Sequence, residues 1–250
     1  MPVLCDLDGV VWLAHHPIAG SVAAIARLRA AGHRVLFVTN NSAARISDHE
    51  SALEAIGVTA RGDVLSSAMA VARLVAPGSR VLSCAGAGVV EALERRGAVV
   101  VAEGDVDAVV VGWHRTFDYE GLRRAARAVD NGALLLAAND DPTYPTPEGS
   151  IPGGGAILAA VETATGRRAI IAGKPHAPMA ELVTEAIGDP RHALMVGDRP
   201  STDGAFAGLL GCRFALVLSG VTRSSDGVEP AADLVCRDLA ALADLVVTDE

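Results

Sequence analysis

Short apolar runs rich in Val, Leu and Ile recur along the chain, separated by longer stretches whose apolar residues return every three or four positions. The runs predict strands over Val3–Leu7, Arg34–Val38, Arg80–Cys84, Ala98–Val101, Ala108–Val111, Leu134–Ala138, Ala169–Ala172, Ala193–Val196 and Arg213–Leu218. The helical spacing predicts helices over Ser21–Ala31, Ser47–Ile56, Ser67–Val75, Val89–Arg95, Tyr119–Val129, Ala156–Thr165, Met179–Ile187, Thr202–Leu210 and Leu239–Val246. Ser47 and Glu50 stand at capping-box spacing, which places a helix start there. Gly32, Gly57, Gly97 and Gly166 follow four of the helices, where a left-handed C-terminal cap is expected. The strands are continuously apolar rather than alternating, so both faces of their sheet are expected to be covered. Strand and helix alternate throughout, which predicts an α/β fold, doubly wound and mainly parallel.

Two punctuated stretches divide this pattern. Ala76-Pro77-Gly78 precedes a fresh strand, and Thr165-Gly166-Arg167-Arg168 leads into the strand before Gly173. Between them lies a segment with strands and helices of its own. The expected organisation is a core over residues 1–77 and 169–250, interrupted by an inserted α/β domain over 78–168.

A chain of 250 residues is long enough to bury roughly 70–75% of its unfolded surface. The 30 acidic and 21 basic side chains leave a net charge of −9, which argues against a general nucleic-acid binder. No apolar run approaches the ~18–20 residues of a membrane span. The first residues, MPVLCDLDGVVW, carry two aspartates where a signal peptide has positive charge. Cys5, Cys84, Cys212 and Cys236 are scattered, without CxxC spacing. That usage fits buried thiols in a reducing cytoplasm better than a disulfide framework or zinc site. The expectation is a soluble cytoplasmic globule with neither nucleic-acid nor membrane partner.

The candidate chemistry lies at the carboxyl ends of the predicted core strands. Asp6 and Asp8 close the first, Thr39-Asn40-Asn41-Ser42 closes the second, and Gly197-Asp198 follows Ala193–Val196. Open α/β sheets bind ligands along that edge, near a topological switch point. Asp6 and Asp8 stand two apart, so an extended backbone projects both to one side. Carboxylates packed together repel, and one stays protonated unless a cation sits between them. Oxygen donors without a Cys or His cluster suit a hard ion such as Mg²⁺.

Four motifs occur in order: Asp6-Leu7-Asp8-Gly9-Val10, Thr39-Asn40-Asn41-Ser42, Gly173-Lys174-Pro175 and Gly197-Asp198-Arg199-Pro200-Ser201-Thr202-Asp203. Together they resemble the haloacid dehalogenase-like superfamily, and the long insertion between the second and third is similar to subclass IIA. The resemblance spans nearly the whole chain. It implies a Mg²⁺-dependent phosphatase acting on a small phosphorylated metabolite through an aspartyl-phosphate. Asp6 would be the nucleophile, and Asp8 the acid for the leaving alcohol and then the base for water. Asp6, Asp198 and the backbone carbonyl of Asp8 would hold the metal, with Asp203 orienting its waters from an outer shell. Thr39, Asn40 and Lys174 would meet the phosphoryl oxygens. The insertion would be the cap domain, in which Asn139, Asp141 and His114 are the candidate contacts or braces. Bracing is the favoured role for Asn139 and Asp141, and a structural role for His114, which stands where relatives often carry a carboxylate. A cap-mediated homodimer is compatible with the resemblance.

Other readings of the same residues are a phosphotransferase or mutase on this core, a receiver-like phospho-acceptor, and a metal-free dehalogenase. The last leaves Asp8 and Asp198 unexplained. Two phosphate-loop mimics are set aside. Arg168 stands where a Walker motif needs its first glycine, and Glu91 stands where a dinucleotide fingerprint needs its third. Ala85-Gly86-Ala87-Gly88 reads instead as a tight strand-to-helix turn.

Overall fold

The structure, a computed structural model, describes residues 1–248. The chain begins with β1 (Pro2–Cys5), a small hairpin of β2 (Trp12–Leu13) and β3 (His16–Pro17), and α1 (Ser21–Ala30). There follow β4 (Arg34–Thr39), α2 (Ile46–Ala55), β5 (Val64–Ser66) and α3 (Ser67–Ala72). The middle of the chain holds β6 (Arg80–Cys84), α4 (Ala87–Arg95), β7 (Val99–Val101), β8 (Ala108–Val111), α5 (Tyr119–Asp130) and β9 (Leu134–Ala137). A second hairpin, β10 (Thr143–Thr146) and β11 (Gly149–Pro152), precedes α6 (Gly154–Thr165) and β12 (Ile170–Ile171). The last part contains α7 (Ala177–Ile187), β13 (Leu194–Gly197), a π-helical turn over Pro200–Gly204, and α8 (Ala205–Leu210). It ends with β14 (Arg213–Val217), β15 (Leu234–Cys236) and α9 (Leu239–Thr248).

Two parallel sheets result. The first has six strands in the order β15-β14-β13-β1-β4-β5, and the second has five in the order β12-β9-β8-β6-β7. In the first sheet β1 pairs with β4 on one side and β13 on the other, so the strand order reverses at β1. The carboxyl ends of β1 and its neighbours therefore open on a crevice.

The continuous apolar strands bury both faces. Leu4, Leu36, Val38 and Met195 pack against Val71 of α3, Val183 of α7 and Phe206 of α8. Val3, Cys5, Phe37 and Val196 pack oppositely, against Ile25 and Leu28 of α1 and Leu242 of α9. The first of these clusters continues into the second sheet through Val81, Val110 and Leu136, so the two sheets share one core. The far face of the second sheet is covered by α5 and α6 through Ala125, Val129, Leu158 and Val161. Each such fully buried aliphatic or aromatic side chain contributes about 1.5–3 kcal/mol.

Several expectations are corrected. The strand expected over Ala169–Ala172 belongs to the second sheet, where Ile170 pairs with Leu136 and Ile171 with Ala137. The chain thus rejoins the first sheet only after Ala172, and the boundary expected at 168 falls one strand early. Gly166 marks a helix end there, in the left-handed conformation with φ 64°, and not the edge of a domain. Gly32, Gly57 and Gly97 also have positive φ, as their places after helices predict. Helix α2 begins at Ile46, and the carboxylate of Asp48 accepts from the Arg45 N–H at 3.1 Å. Ser47 and Glu50 are consequently no capping pair, and Glu50 instead accepts from the Gly62 N–H at 2.8 Å. Gly86 does sit in a strand-to-helix turn, so close to Ala43 that a Cβ would lie 2.6 Å from the Ala43 Cα. Among the described residues no helix is long and apolar enough to cross a membrane.

Candidate active site

The Asp6 N–H donates to the carbonyl of Val196 at 2.9 Å, extending β1 by one residue along β13. Leu7 then turns into the core and is fully buried, so the aspartates on either side of it face one cavity. The N–H groups of Val11 and Trp12 both reach the carbonyl of Leu7, at 2.9 and 3.1 Å, and close the turn. Gly9 completes it with φ 92°, a conformation that disfavours any side chain. A Cβ there would also lie 2.3 Å from an Asp198 carboxylate oxygen.

Asp198 follows β13, and its Oδ2 accepts from the Val221 N–H. The π-helical turn then brings Asp203 back to the same cavity, a local irregularity of the kind often found at functional sites. Oδ2 of Asp203 accepts from the Arg199 N–H at 3.1 Å, and Oδ1 accepts from Lys174 Nζ at 2.7 Å. Lys174 Nζ also stands 3.0 Å from Asp6 Oδ1, although the lysine side chain is only 1% exposed. The two carboxylates outweigh the burial and hold the lysine cationic, its pKa raised above the ordinary range.

One carboxylate oxygen from each of Asp6, Asp198 and Asp203 lies within 4.8 Å of the others. Burial is the main cause holding Asp6 well above the usual carboxylate range, opposed by Lys174 and reinforced by Asp203, Asp198 and Asp8. Asp198 is pushed up to about 7, first by burial and then by the charge of Asp203. Asp8 is raised to about 6 by burial, against the Tyr144 hydroxyl that donates to it. Such clustered, all-oxygen negative charge fits a hard divalent cation such as Mg²⁺.

The raised carboxylates give a pH signature. A group whose pKa is higher in the folded state stabilises the fold below its unfolded value and ceases to do so as pH rises through the folded value. Metal-free protein should therefore lose stability between about pH 4, the unfolded aspartate value, and about pH 7, the folded value for Asp198. Thermal melts in chelator should show a lower midpoint above that window than inside it, and excess Mg²⁺ should remove the difference. Equal midpoints in chelator at both pH values would contradict this.

Thr39 ends β4, and its Oγ1 accepts from the Asn41 N–H at 3.0 Å, which leaves the hydroxyl proton free to donate. Asn40 is a junction between segments. Its Oδ1 accepts from the Lys174 N–H at 2.8 Å, and its Nδ2 donates to Asp141 Oδ2 at 2.8 Å and to the Lys174 carbonyl at 3.0 Å. Its carbonyl accepts from Ser67 Oγ at 2.7 Å and Asn139 Nδ2 at 2.6 Å. With the side-chain donors of Asn40 engaged, a phosphate contact from this residue falls to its backbone N–H.

Asn139 also accepts from the Asp141 N–H at 3.2 Å, and Asp141 Oδ1 accepts from Thr202 Oγ1 at 3.2 Å with Arg199 Nη1 at 3.8 Å. These two residues bind the inserted segment to the first sheet, and both border the cavity. His114 does not line the cavity. Its ring nitrogens face Cys84 Sγ at 3.8 Å and Thr116 Oγ1 at 3.2 Å, and its edge packs on Phe117. The structure thus places His114 apart from the other candidate site residues, and the preceding Trp113 occupies the cavity wall instead.

The cavity encloses about 60 Å³, room for roughly four waters. Trp113, Tyr144 and Arg199 complete its wall and were not foreseen as functional residues. Arg199 lies inside a recognised motif, and Tyr144 in the Pro-flanked stretch after Asn139. Trp113 carried no signal beyond its place after a strand.

Comparison with known proteins decides the family. A haloacid dehalogenase-like hydrolase model matches residues 3–99, and a HAD-hydrolase-like model matches residues 171–242. D-glycerol 3-phosphate phosphatase of Mycobacterium tuberculosis is 42% identical over 239 residues, covering 90% of this chain and 65% of that protein. Human chronophin is 38% identical over 245 residues, covering 88% of this chain and 82% of its own. The chain belongs to the haloacid dehalogenase-like hydrolases, subclass IIA. It is a phosphatase of that family, with the α/β core and inserted cap domain of its relatives. A solved structure of glycerol phosphate phosphatase from Mycobacterium tuberculosis in complex with magnesium superimposes with a TM-score of 0.87 at 37% identity. The match covers 96% of this chain and 75% of that one. Magnesium, bound in that relative, is the ion this carboxylate set suits.

Proposed function

We propose that Asp6 and Asp8 carry a two-step hydrolysis of phosphate monoesters of small metabolites. The observation that supports this best is Asp6, set 3.0 Å from a buried ammonium and within 4.8 Å of two further carboxylates. Asp6 attacks phosphorus, a P–O bond forms to its carboxylate, and the bond to the leaving oxygen breaks. Asp8 gives that oxygen its proton, then takes one from the water that attacks phosphorus and frees Asp6. A positioned acid–base group of this kind contributes roughly 10²–10⁴-fold. Mg²⁺ held by Asp6, Asp198 and the Asp8 carbonyl would shield the nucleophile and draw charge from the transferring group.

Lys174 fixes and neutralises Asp6, and Asp203 fixes Lys174. The Thr39 hydroxyl, the Asn40 N–H and the third Lys174 donor grip the phosphoryl oxygens. The segment from Gly78 to Ala172 acts as the cap, and its hairpin walls the space for the leaving group. The polar lining of the cavity and the glycerol phosphate in the name of the Mycobacterium tuberculosis relative support a compact, polar leaving group. A cytoplasmic setting is supported by four cysteines, all free.

Purified protein should hydrolyse 4-nitrophenyl phosphate with Mg²⁺, fall to background in chelator and recover when Mg²⁺ is returned. Unchanged hydrolysis in chelator would reject the metal's role, and no hydrolysis under any condition would reject the enzyme assignment.

A further inference from the structure

The β10–β11 hairpin pairs with neither large sheet and hangs over the catalytic edge. From β10, Tyr144 reaches across 136 positions of sequence to donate its hydroxyl proton to Asp8 Oδ1 at 2.8 Å. Its ring stacks on Trp113, with centroids 4.9 Å apart and planes 20° from parallel. Trp113 in turn donates from Nε1 to the carbonyl of Pro152 in β11 at 3.0 Å. Tyr144 is thus held twice, by its pairing with Ile151 in β11 and by a tryptophan tied to the neighbouring residue of that strand. A hydroxyl on so fixed a ring is a fixed reference point.

We propose that Tyr144 is a positioning residue for Asp8, holding its carboxyl group in the orientation from which it protonates the departing oxygen. The inference rests on Asp8 being the general acid. Asp8 is followed by the Gly9 turn, and although Trp12 and the Ala14 backbone also approach its carboxyl group, acid catalysis needs that short side chain held in one orientation. A general acid works only within about 2.6–3.2 Å of its target, and a misplacement of about 1 Å can cost 10²-fold. By occupying Oδ1, the tyrosine makes the two oxygens inequivalent and leaves Oδ2 to carry the proton. In the transfer step the electron pair of the breaking P–O bond goes to the leaving oxygen, which takes that proton. Asp6 gains the phosphoryl group, and Tyr144 neither gains nor loses a proton.

Such a role scales with how much the leaving group needs a proton. Phenyl and 4-nitrophenyl phosphate have nearly the same shape, but nitrophenolate departs unaided and phenolate does not. Tyr144→Phe keeps the ring and its stack on Trp113. Its kcat/KM should fall about tenfold further for phenyl phosphate than for 4-nitrophenyl phosphate, and Asp8→Asn should show the same bias more strongly. A hairpin merely loosened by the substitution would lower both substrates alike. Equal losses in Tyr144→Phe, with the bias kept in Asp8→Asn, would overturn the positioning role and leave Asp8 as the acid. An Asp8→Asn protein without the bias would overturn both.

Discussion

Asp6→Asn is expected to leave a folded protein with no measurable phosphatase turnover. The amide has the size of the carboxylate, so the β1 edge and the Leu7 turn are undisturbed. It lacks the anionic oxygen that must bond to phosphorus, and no other side chain at this edge stands in its place. Removing a covalent nucleophile costs up to ~10⁶-fold in well-studied hydrolases, and a loss of at least about 10⁴-fold is expected here. Stability should move the other way. Asp6 is held above its ordinary pKa by burial and by Asp203, Asp198 and Asp8, so a neutral side chain relieves repulsion in the metal-free protein. Lys174 keeps its contact with Asp203 at 2.7 Å. Steady-state assays and thermal melts together check both halves. Substantial turnover in a correctly folded variant would contradict the assignment of the nucleophile.

Lys174→Met should damage both stability and activity. Methionine nearly fills the lysine's volume but leaves Asp6 and Asp203 facing each other without the cation that now touches both. Breaking a buried pair by deleting one partner costs about 3–5 kcal/mol. For a chain of this length that corresponds to a melting midpoint lower by roughly 10 °C. The deficit should be largest at neutral pH without metal and should shrink as acid protonates the carboxylates. Turnover should fall as well, because the nucleophile loses the group that orients it. A Lys174→Met protein with an unchanged midpoint at neutral pH would show that this ion pair does not hold the site together.

Nine of the eleven strands in the two large sheets were legible because they are continuously apolar runs. The other two, β5 and β15, three residues each at the edges of the first sheet, are too short to stand out and were not expected. A lone aspartate after a strand is ordinarily a turn or cap residue. Asp6, Asp8 and Asp198 stood out as candidates because several at the carboxyl ends of neighbouring core strands converge on one edge, and they do line one cavity. What stayed hidden depends on contacts between distant segments. Nothing in Thr143-Tyr144-Pro145-Thr146 marks Tyr144 as a partner of Asp8, because β10 has no apolar alternation and its register is set only by β11. Trp113 and His114 are neighbours in sequence, yet one faces the cavity and the other Cys84. Asn40 reads as a phosphate donor, but its side chain is used by Lys174 and Asp141 from two other segments. The two residues of β12 carry no mark of which sheet they join, which displaced the expected boundary.

Transfer of the phosphoryl group to this one carboxylate can be observed directly. Enzyme turning over a radiolabelled phosphate monoester with Mg²⁺ is quenched in acid, digested, and its labelled peptide identified. Label on the peptide containing Asp6, absent in Asp6→Asn, is the expected result. Label carried by another residue during full turnover would contradict it.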